Sequence, residues 1–152
     1  MMRVFILISL VLCFGQNPPP FDGKRAMDLL ITQCEFGPRF PGSNGHTQMK
    51  IFMENFLLPL ADSLYIMDEK ISHPYERRYI TLTNYLARYN LDAAYRIMLM
   101  AHWDTREFAD QDLNPENRFL PILGANDGAS GVAVLLTLAE ILHTLPPLNI
   151  GV

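Results

Sequence analysis

The sequence predicts an α/β protein, and three observations predict it. Residues 96–102 (RIMLMAH) form a continuous apolar run bounded by turns, the pattern of a strand buried on both faces. Residues 130–145 are apolar on nearly every side, as a helix packed against a sheet must be. Residues 148–152 (LNIGV) then open as another β-prone segment. Strand, helix and strand in succession make the unit of a parallel α/β sheet.

Composition fits that class. Of the 152 residues, 49% are hydrophobic and 18% charged, which excludes a disordered or collagen-like chain. The 12 basic and 16 acidic side chains give a net charge of −4, and no basic run exceeds the pair Arg77-Arg78. A nucleic-acid footprint is therefore not expected. Two cysteines, Cys13 and Cys34, do not make a disulfide framework.

The elements follow in order. Residues 1–15 (MMRVFILISLVLCFG) place one positive charge, Arg3, before an apolar run at 4–12. That run is too short for a bilayer core, which needs about 20 residues. The pattern is that of a secretory signal peptide, with Cys13-Phe14-Gly15 as the cleavage region. It implies a secreted or periplasmic protein with no stable membrane span after its removal; lipid attachment at Cys13 is the weaker option, because Leu12 before it is bulky. A buried N-terminal helix or strand is the alternative. Residues 16–20 are a proline-rich spacer.

Asp22 is placed to cap a helix with Ala26, Leu29 and Leu30 at helical spacing, stopped by Gly37-Pro38. Residues 37–45 (GPRFPGSNG) are turn-rich. A second helix starts after Ser43 or Asn44, carries Met49, Ile51, Phe52, Phe56 and Leu57, and ends at Pro59. Tyr65-Ile66-Met67 suits a short strand. Residues 79–89 alternate apolar and polar with β-branched and aromatic side chains, as in a half-buried strand. Across the Asn90-Leu91-Asp92 turn this strand is expected to pair with 96–102 as a hairpin. Residues 105–123 form a long acidic loop, either functional or a solvated excursion. Pro146-Pro147 ends the last helix. A lone Cys34 reads as a small buried hydrophobe.

Two constellations could carry chemistry. Period two puts His102 and Asp104 on one side of the buried strand at its carboxyl end, where ligands bind in open α/β sheets. A neutral imidazole ligates zinc, and a nearby carboxylate holds its second nitrogen. On spacing alone such a pair is more often a hydrogen-bonded surface pair, since zinc needs three or four ligands. The second constellation is the small-residue loop 124–131 (GANDGASG) around Asp127, at the head of the buried helix. Small residues permit close backbone approach to a ligand. Asp127 or Ser130 could equally be a helix cap. A phosphate cradle is disfavoured, because the loop lacks a lysine and carries a negative charge. Together, an imidazole and a carboxylate from adjacent strand–helix junctions supply the donor mix for zinc. His46, His73 and His143 show no partner at ligand spacing, and Trp103 points away from His102 toward the core.

AHWDTREFADQD followed by PILGANDGASGVAVLLTLAEIL resembles the M28 zinc-peptidase superfamily, most of all its glutaminyl-peptide cyclotransferase branch. GPRFPGSNGH and TNYLARYN are similar to that branch's N-terminal segments, so the likeness runs from about Phe21 to Val152. The resemblance implies a three-layer α/β sandwich with a mixed central β-sheet flanked by helices, truncated on its C-terminal side. Residues 21–152 would be the N-terminal part of that domain. Asp127 would be a metal ligand, bridging both ions in two-zinc aminopeptidases, where His102 would bind one of them; in one-zinc cyclases the His102 position need not touch the metal. Asp104 would be the supporting acid that orients His102. The peptide after Asp127 would be cis, as it often is in the family. The cofactor would be zinc, one ion for a cyclase and two for an aminopeptidase.

The implied activity converts an N-terminal glutamine to pyroglutamate with loss of ammonia, so the partners would be peptides or proteins that begin with glutamine. The alternatives are an M28 metallo-aminopeptidase and a non-catalytic remnant. The family's proton-shuttling glutamates and last histidine ligand fall beyond Val152, and neither Glu116 nor Glu140 is placed to substitute. The chain is accordingly expected to be an N-terminal fragment, inactive alone.

Overall fold

Asp22 opens the first helix, α1 (Gly23–Glu35), by accepting a 2.9 Å hydrogen bond from the Arg25 amide on its carboxylate. Ser43 caps α2 (Asn44–Leu57) in the same way, accepting from the His46 amide at 3.0 Å. Both helices therefore begin where their capping residues predict. The computed structural model describes residues 18–145 and 149–152. The expected signal segment, residues 1–15, lies outside the described residues, as do Pro146-Pro147 and the first two residues of the spacer.

Two strands follow, β1 (Ser63–Ser72) and β2 (Tyr79–Arg88), paired antiparallel from Ser63 opposite Arg88 to Ser72 opposite Tyr79. The turn is closed by the His73 amide donating to the Arg78 carbonyl at 2.8 Å. This corrects the expected hairpin: β2 pairs with β1, not with residues 96–102. The expected three-residue strand is ten residues long. Its second half (Asp68, Glu69, Lys70) is charged and exposed, which hides it from any apolar alternation but suits a strand facing water.

The short strands β3 (Tyr95–Arg96) and β4 (Ile150–Gly151) pair in parallel. Tyr89 and Val152 exchange reciprocal main-chain bonds of 2.8 and 3.2 Å, which joins the end of β2 to β4 and makes the pairing mixed. Between β3 and β4 runs α3 (Ser130–Thr144), as the strand–helix–strand reading predicts. A short 3-10 turn, Pro115–Phe119, interrupts the expected long loop.

Residues 96–102 depart from expectation. Arg96 belongs to β3, but beyond it, among the described residues, only the Ile97 amide finds a strand partner, the Gly151 carbonyl at 2.9 Å. Met98 is 68% and Met100 82% exposed. A strand is buried on both faces only when strands flank it and helices cover it. Here α3 covers one side, with Leu135 and Leu138 lining an apolar groove against Met98, Leu99 and Ala101.

The core joins Leu29 of α1, Met49, Met53 and Leu57 of α2, and Val132, Ala133, Leu136 and Ala139 of α3. Trp103 closes it, its ring nitrogen donating to the Thr83 carbonyl at 3.0 Å. The stretch Ala125–Thr144 is long and apolar enough to cross a membrane, but its buried face is this core. Arg25 and Glu140 tie α1 to α3 through a bidentate pair, closest at 2.7 Å. Cys34 is half-buried rather than enclosed. Leu136→Ala should cost about 2–5 kcal/mol of stability, because it leaves a cavity where three helices meet; chemical denaturation of the two chains measures it.

Candidate metal centre

The segment after β3 delivers Ala101-His102-Trp103-Asp104 to the rim beside the N-terminus of α3. Trp103 turns into the core, so period two sends its neighbours His102 and Asp104 the other way. The helix start is reached through a kinked turn, Ala125–Ala129, in which Asp127 (φ −91°, ψ 99°) and Gly128 (φ 102°, ψ −67°) leave helical geometry. That kink presents the Asp127 carboxylate to the imidazole. His102 Nε2 lies 2.9 Å from Asp127 Oδ1 across 25 residues of sequence. The expected convergence of these two side chains on one rim is what the geometry contains.

Asp104 reaches the ring from the other side. His102 Nδ1 is 3.2 Å from the Asp104 carbonyl oxygen and 3.5 Å from its carboxylate. The backbone of Asp104 is thus the nearer partner, where the sequence suggested the side chain. Both neighbours of the ring are acceptors, so the imidazole satisfies them fully only when both nitrogens carry protons. Burial pulls the His102 pKa down, but the Asp127 hydrogen bond and the charge and carbonyl of Asp104 more than offset it, and the net shift is upward. The alternative role of Asp127 as a helix cap is not realised. No side chain caps α3, and Ser130 Oγ donates instead to the Asn126 carbonyl at 2.7 Å.

The described peptide bonds are all trans, so the expected cis bond after Asp127 is absent. The unusual geometry falls instead on Gly128, whose φ of 102° belongs to the strained γ-turn region open to glycine. A Cβ there would lie 3.1 Å from the Asp104 carbonyl oxygen and 3.3 Å from His102 Cε1. Gly128 is therefore what lets the two halves of the rim touch.

The donor set suits zinc in kind, since an imidazole and a carboxylate share an exposed rim. It is short in number: among the described residues no group of three or more potential ligands gathers. Glu140 is held by Arg25, and Glu116 sits in the Pro115–Phe119 turn, so neither joins them.

The other histidines divide. His143 Nδ1 lies 3.0 Å from the Leu60 carbonyl. His46 is buried against the Trp103 ring, centroids 4.5 Å apart, and burial, reinforced by Lys50, lowers its pKa. His73 has a hydrogen-bond partner, though not, among the described residues, a set of metal ligands. Its Nδ1 accepts from the Tyr75 and Glu76 amides at 3.3 and 3.0 Å, which leaves Nε2 to donate to Glu107 at 3.2 Å. Glu107 also receives Arg78 at 3.2 Å, so the β1–β2 turn is latched to the loop that follows Asp104. Sequence reasoning also missed two buried polar side chains behind the rim, Gln33 and Arg39. A signal existed in a glutamine on the apolar face of α1 and an arginine between two turn prolines.

Two consequences can be measured. Gly128→Ala should cost about 1–3 kcal/mol through forced positive φ and push His102 away from Asp127; denaturation gives the first, and loss of the ring-to-carboxylate contact in a crystal structure the second. In the metal-free chain His102 should titrate above the ordinary histidine value, and Asp127→Asn should bring it down. The sign follows from a raised folded-state value: the stabilisation is complete below the unfolded pKa and is lost as pH rises through the folded one. An imidazole proton titration by NMR reads this directly, and a value unchanged by Asp127→Asn would contradict it.

Comparison with known proteins adds what the chain is similar to. A model of peptidase family M28 matches residues 84–152. No curated protein matches the chain. Among solved structures, the leucine aminopeptidase precursor of Bacteroides thetaiotaomicron superposes with a TM-score of 0.80 at 34% identity, covering 89% of this chain and 47% of that one. The glutaminyl cyclase of Bacteroides thetaiotaomicron, solved with N-acetylhistamine, gives 0.80 and 34%, covering 89% and 46%. A Zn-dependent exopeptidase of Parabacteroides distasonis gives 0.80 and 28%, covering 88% and 46%. The chain thus spans about half the length of these structures and shares their α/β fold, as its sequence predicts. Residues 84–152 thus match peptidase family M28, and the chain as a whole has the fold of solved glutaminyl cyclases and Zn-dependent exopeptidases.

Proposed function

We propose that these residues form part of a zinc-dependent glutaminyl-peptide cyclotransferase. One observation carries the reading: His102 and Asp127, from two separate strand–helix junctions, meet at 2.9 Å on an exposed rim. The likeness to glutaminyl cyclase structures points that rim toward cyclisation. The reaction would join the α-amine of an N-terminal glutamine to its own side-chain amide carbon, with ammonia leaving.

Asp127 and His102 would hold the metal, which when bound supplies Lewis acidity to the amide carbonyl. Asp127 would contribute charge from a turn that holds it toward the rim. His102 would ligate, or stand beside the ligand set, in an orientation kept by the Asp104 carbonyl. Gly128 would keep the rim free of a side chain that would force the pair apart. The basic and then apolar start of the chain supports an exported protein, secreted or periplasmic, whose partners are peptides or proteins beginning with glutamine.

A second reading is an M28 aminopeptidase, favoured by the equal likeness to the leucine aminopeptidase precursor structure. There the same rim would serve hydrolysis of the first peptide bond, with two zinc ions rather than one.

Two ligands do not close a zinc site. The 152-residue chain with added zinc should therefore release no ammonia from a glutamine-initiated peptide, and turnover by this chain alone would overturn the ligand argument. A protein in which further ligands join His102 and Asp127 should release ammonia and leave a peptide of unchanged residue count. A peptide shortened by one residue would instead establish the aminopeptidase.

A further inference from the structure

Arg39 heads the fully buried side chains of the described residues, at 0% exposure. Its guanidinium is spent on four main-chain carbonyls. Nε donates to Trp103 O at 3.2 Å, Nη1 to Gln33 O at 3.0 Å and Gly37 O at 3.2 Å, and Nη2 to Gly124 O at 3.1 Å. Its own amide donates to Thr105 Oγ1 at 2.8 Å. Burying a guanidinium is costly, and an apolar side chain of similar volume would fill the space at no such cost. What an apolar side chain lacks is direction. The guanidinium is a flat fork with its N–H groups in fixed directions.

The segments it joins matter more than their number. Trp103 and Thr105 bracket Asp104 and follow His102 directly. Gly124 opens the kinked turn that carries Asp127. Gln33 and Gly37 anchor the fork to the end of α1. The far end of the same turn is held from α1 as well, by Gln33 Nε2 donating to Ala129 O at 3.1 Å. There is no slack at the near end: a Cβ on Gly124 (φ 61°) would lie 2.6 Å from Thr105 Cγ2 and 3.4 Å from Arg39 Nη2.

We propose that Arg39 is a positioning residue, which sets the separation of His102 from Asp127 by fixing the Trp103 and Gly124 carbonyls to one guanidinium plane. This rests on the reading of His102 and Asp127 as one rim of a metal centre. Arg39 touches neither side chain; it acts through the two backbones that present them.

The test compares Arg39→Lys and Arg39→Met with Leu57→Ala, a core truncation at the C-terminal end of α2. The first measurement needs no metal: hydrogen exchange of the amides at 102–105 and 124–129 against those of β1 and β2. Arg39→Lys should speed exchange in the two rim segments by about tenfold over β1 and β2, whereas Leu57→Ala should show no such regional bias. Uniform acceleration in the Arg39 variants would reduce Arg39 to a packing residue and overturn the proposal. If the Arg39 variants fail to fold, Gly124→Ala leaves Arg39 in place but wedges the same junction, and it should give the same regional pattern; a flat profile there also overturns the proposal.

The second measurement uses a protein competent for turnover. Arg39→Lys should lower kcat on the order of 10²-fold with KM little changed, as expected for misplaced groups rather than lost binding. An unchanged kcat would overturn the proposal. Should the unsubstituted protein show neither zinc binding nor turnover, the functional reading fails while the exchange measurement still decides the role of Arg39.

Discussion

Burial of α3 is the constraint from which the rest follows. Val132, Ala133, Leu136 and Ala139 are buried along one side of that helix, and such a surface is stable only when covered. α1 covers part of it through Leu29 and the Arg25–Glu140 pair, and the segment after β3 covers more through Ala101 and Trp103. Once a helix crosses between two parallel strands and lies on them, its N-terminus sits at the carboxyl end of the first strand. His102 and Asp127 are neighbours for that reason. Burial of side chains that have no chemistry brings together side chains that do.

Those parts of the fold whose rules are local were legible in the sequence. Asp22 and Ser43 announce α1 and α2 because a cap needs only its own helix. The Asn90 turn, with φ of 54°, and the crossover into β4 were legible for the same kind of reason. The partner of β2 was not. Pairing depends on which edge is within reach, and the charged half of β1 masks its strand character. The apolar run at 96–102 announced a burial that Ile97, Met98, Leu99 and Met100 do not have, because burial of a strand is a property of its neighbours, and periodicity carries no information on whether they are present. At the rim, residue identity was legible and hydrogen-bond direction was not. The sequence pointed to the Asp104 carboxylate, whereas the carbonyl of the same residue is closer to His102. The trans bond after Asp127 shows the same limit, since the turn is accommodated by φ at Gly128 instead.

Three of the six buried polar side chains among the described residues share a place that local rules do not produce. Gln33, Arg39 and Thr105 all lie behind the rim, bonded to main-chain groups of the segments that present His102 and Asp127. Burial lowers the Arg39 pKa, and the nearby Cys34 and Asp104 groups oppose that shift; an arginine remains charged nonetheless. A charge held there without a carboxylate partner in contact stabilises the fold less than an apolar plug would. The carbonyls of Gln33 and Gly37, at the C-terminal end of α1, offset part of that cost, because a helix C-terminus carries partial negative charge. A fold optimised only for stability has little use for such an arrangement. One that must hold two backbones at a set distance does.

The need for that device is visible in the strand itself. Within a sheet, a residue at the carboxyl end of a strand is normally held by hydrogen bonds to both neighbours. His102 ends a segment that, beyond Arg96 and among the described residues, has a strand partner only at Ile97. Its place is set further on, by Trp103 donating its ring N–H to Thr83 O and by Arg39 gripping Trp103 O and Thr105 Oγ1. The ladder that usually fixes a strand end is thus replaced here by the Trp103 ring reaching to the β2 backbone and by Arg39 reaching from the turn after α1. Side-chain bonds fix direction only where packing also fixes the side chain. Arg39 and Trp103 satisfy that condition, since both are buried while the imidazole they serve is exposed. The rigid part of the rim is therefore its buried back, and the groups that face solvent derive their geometry from it.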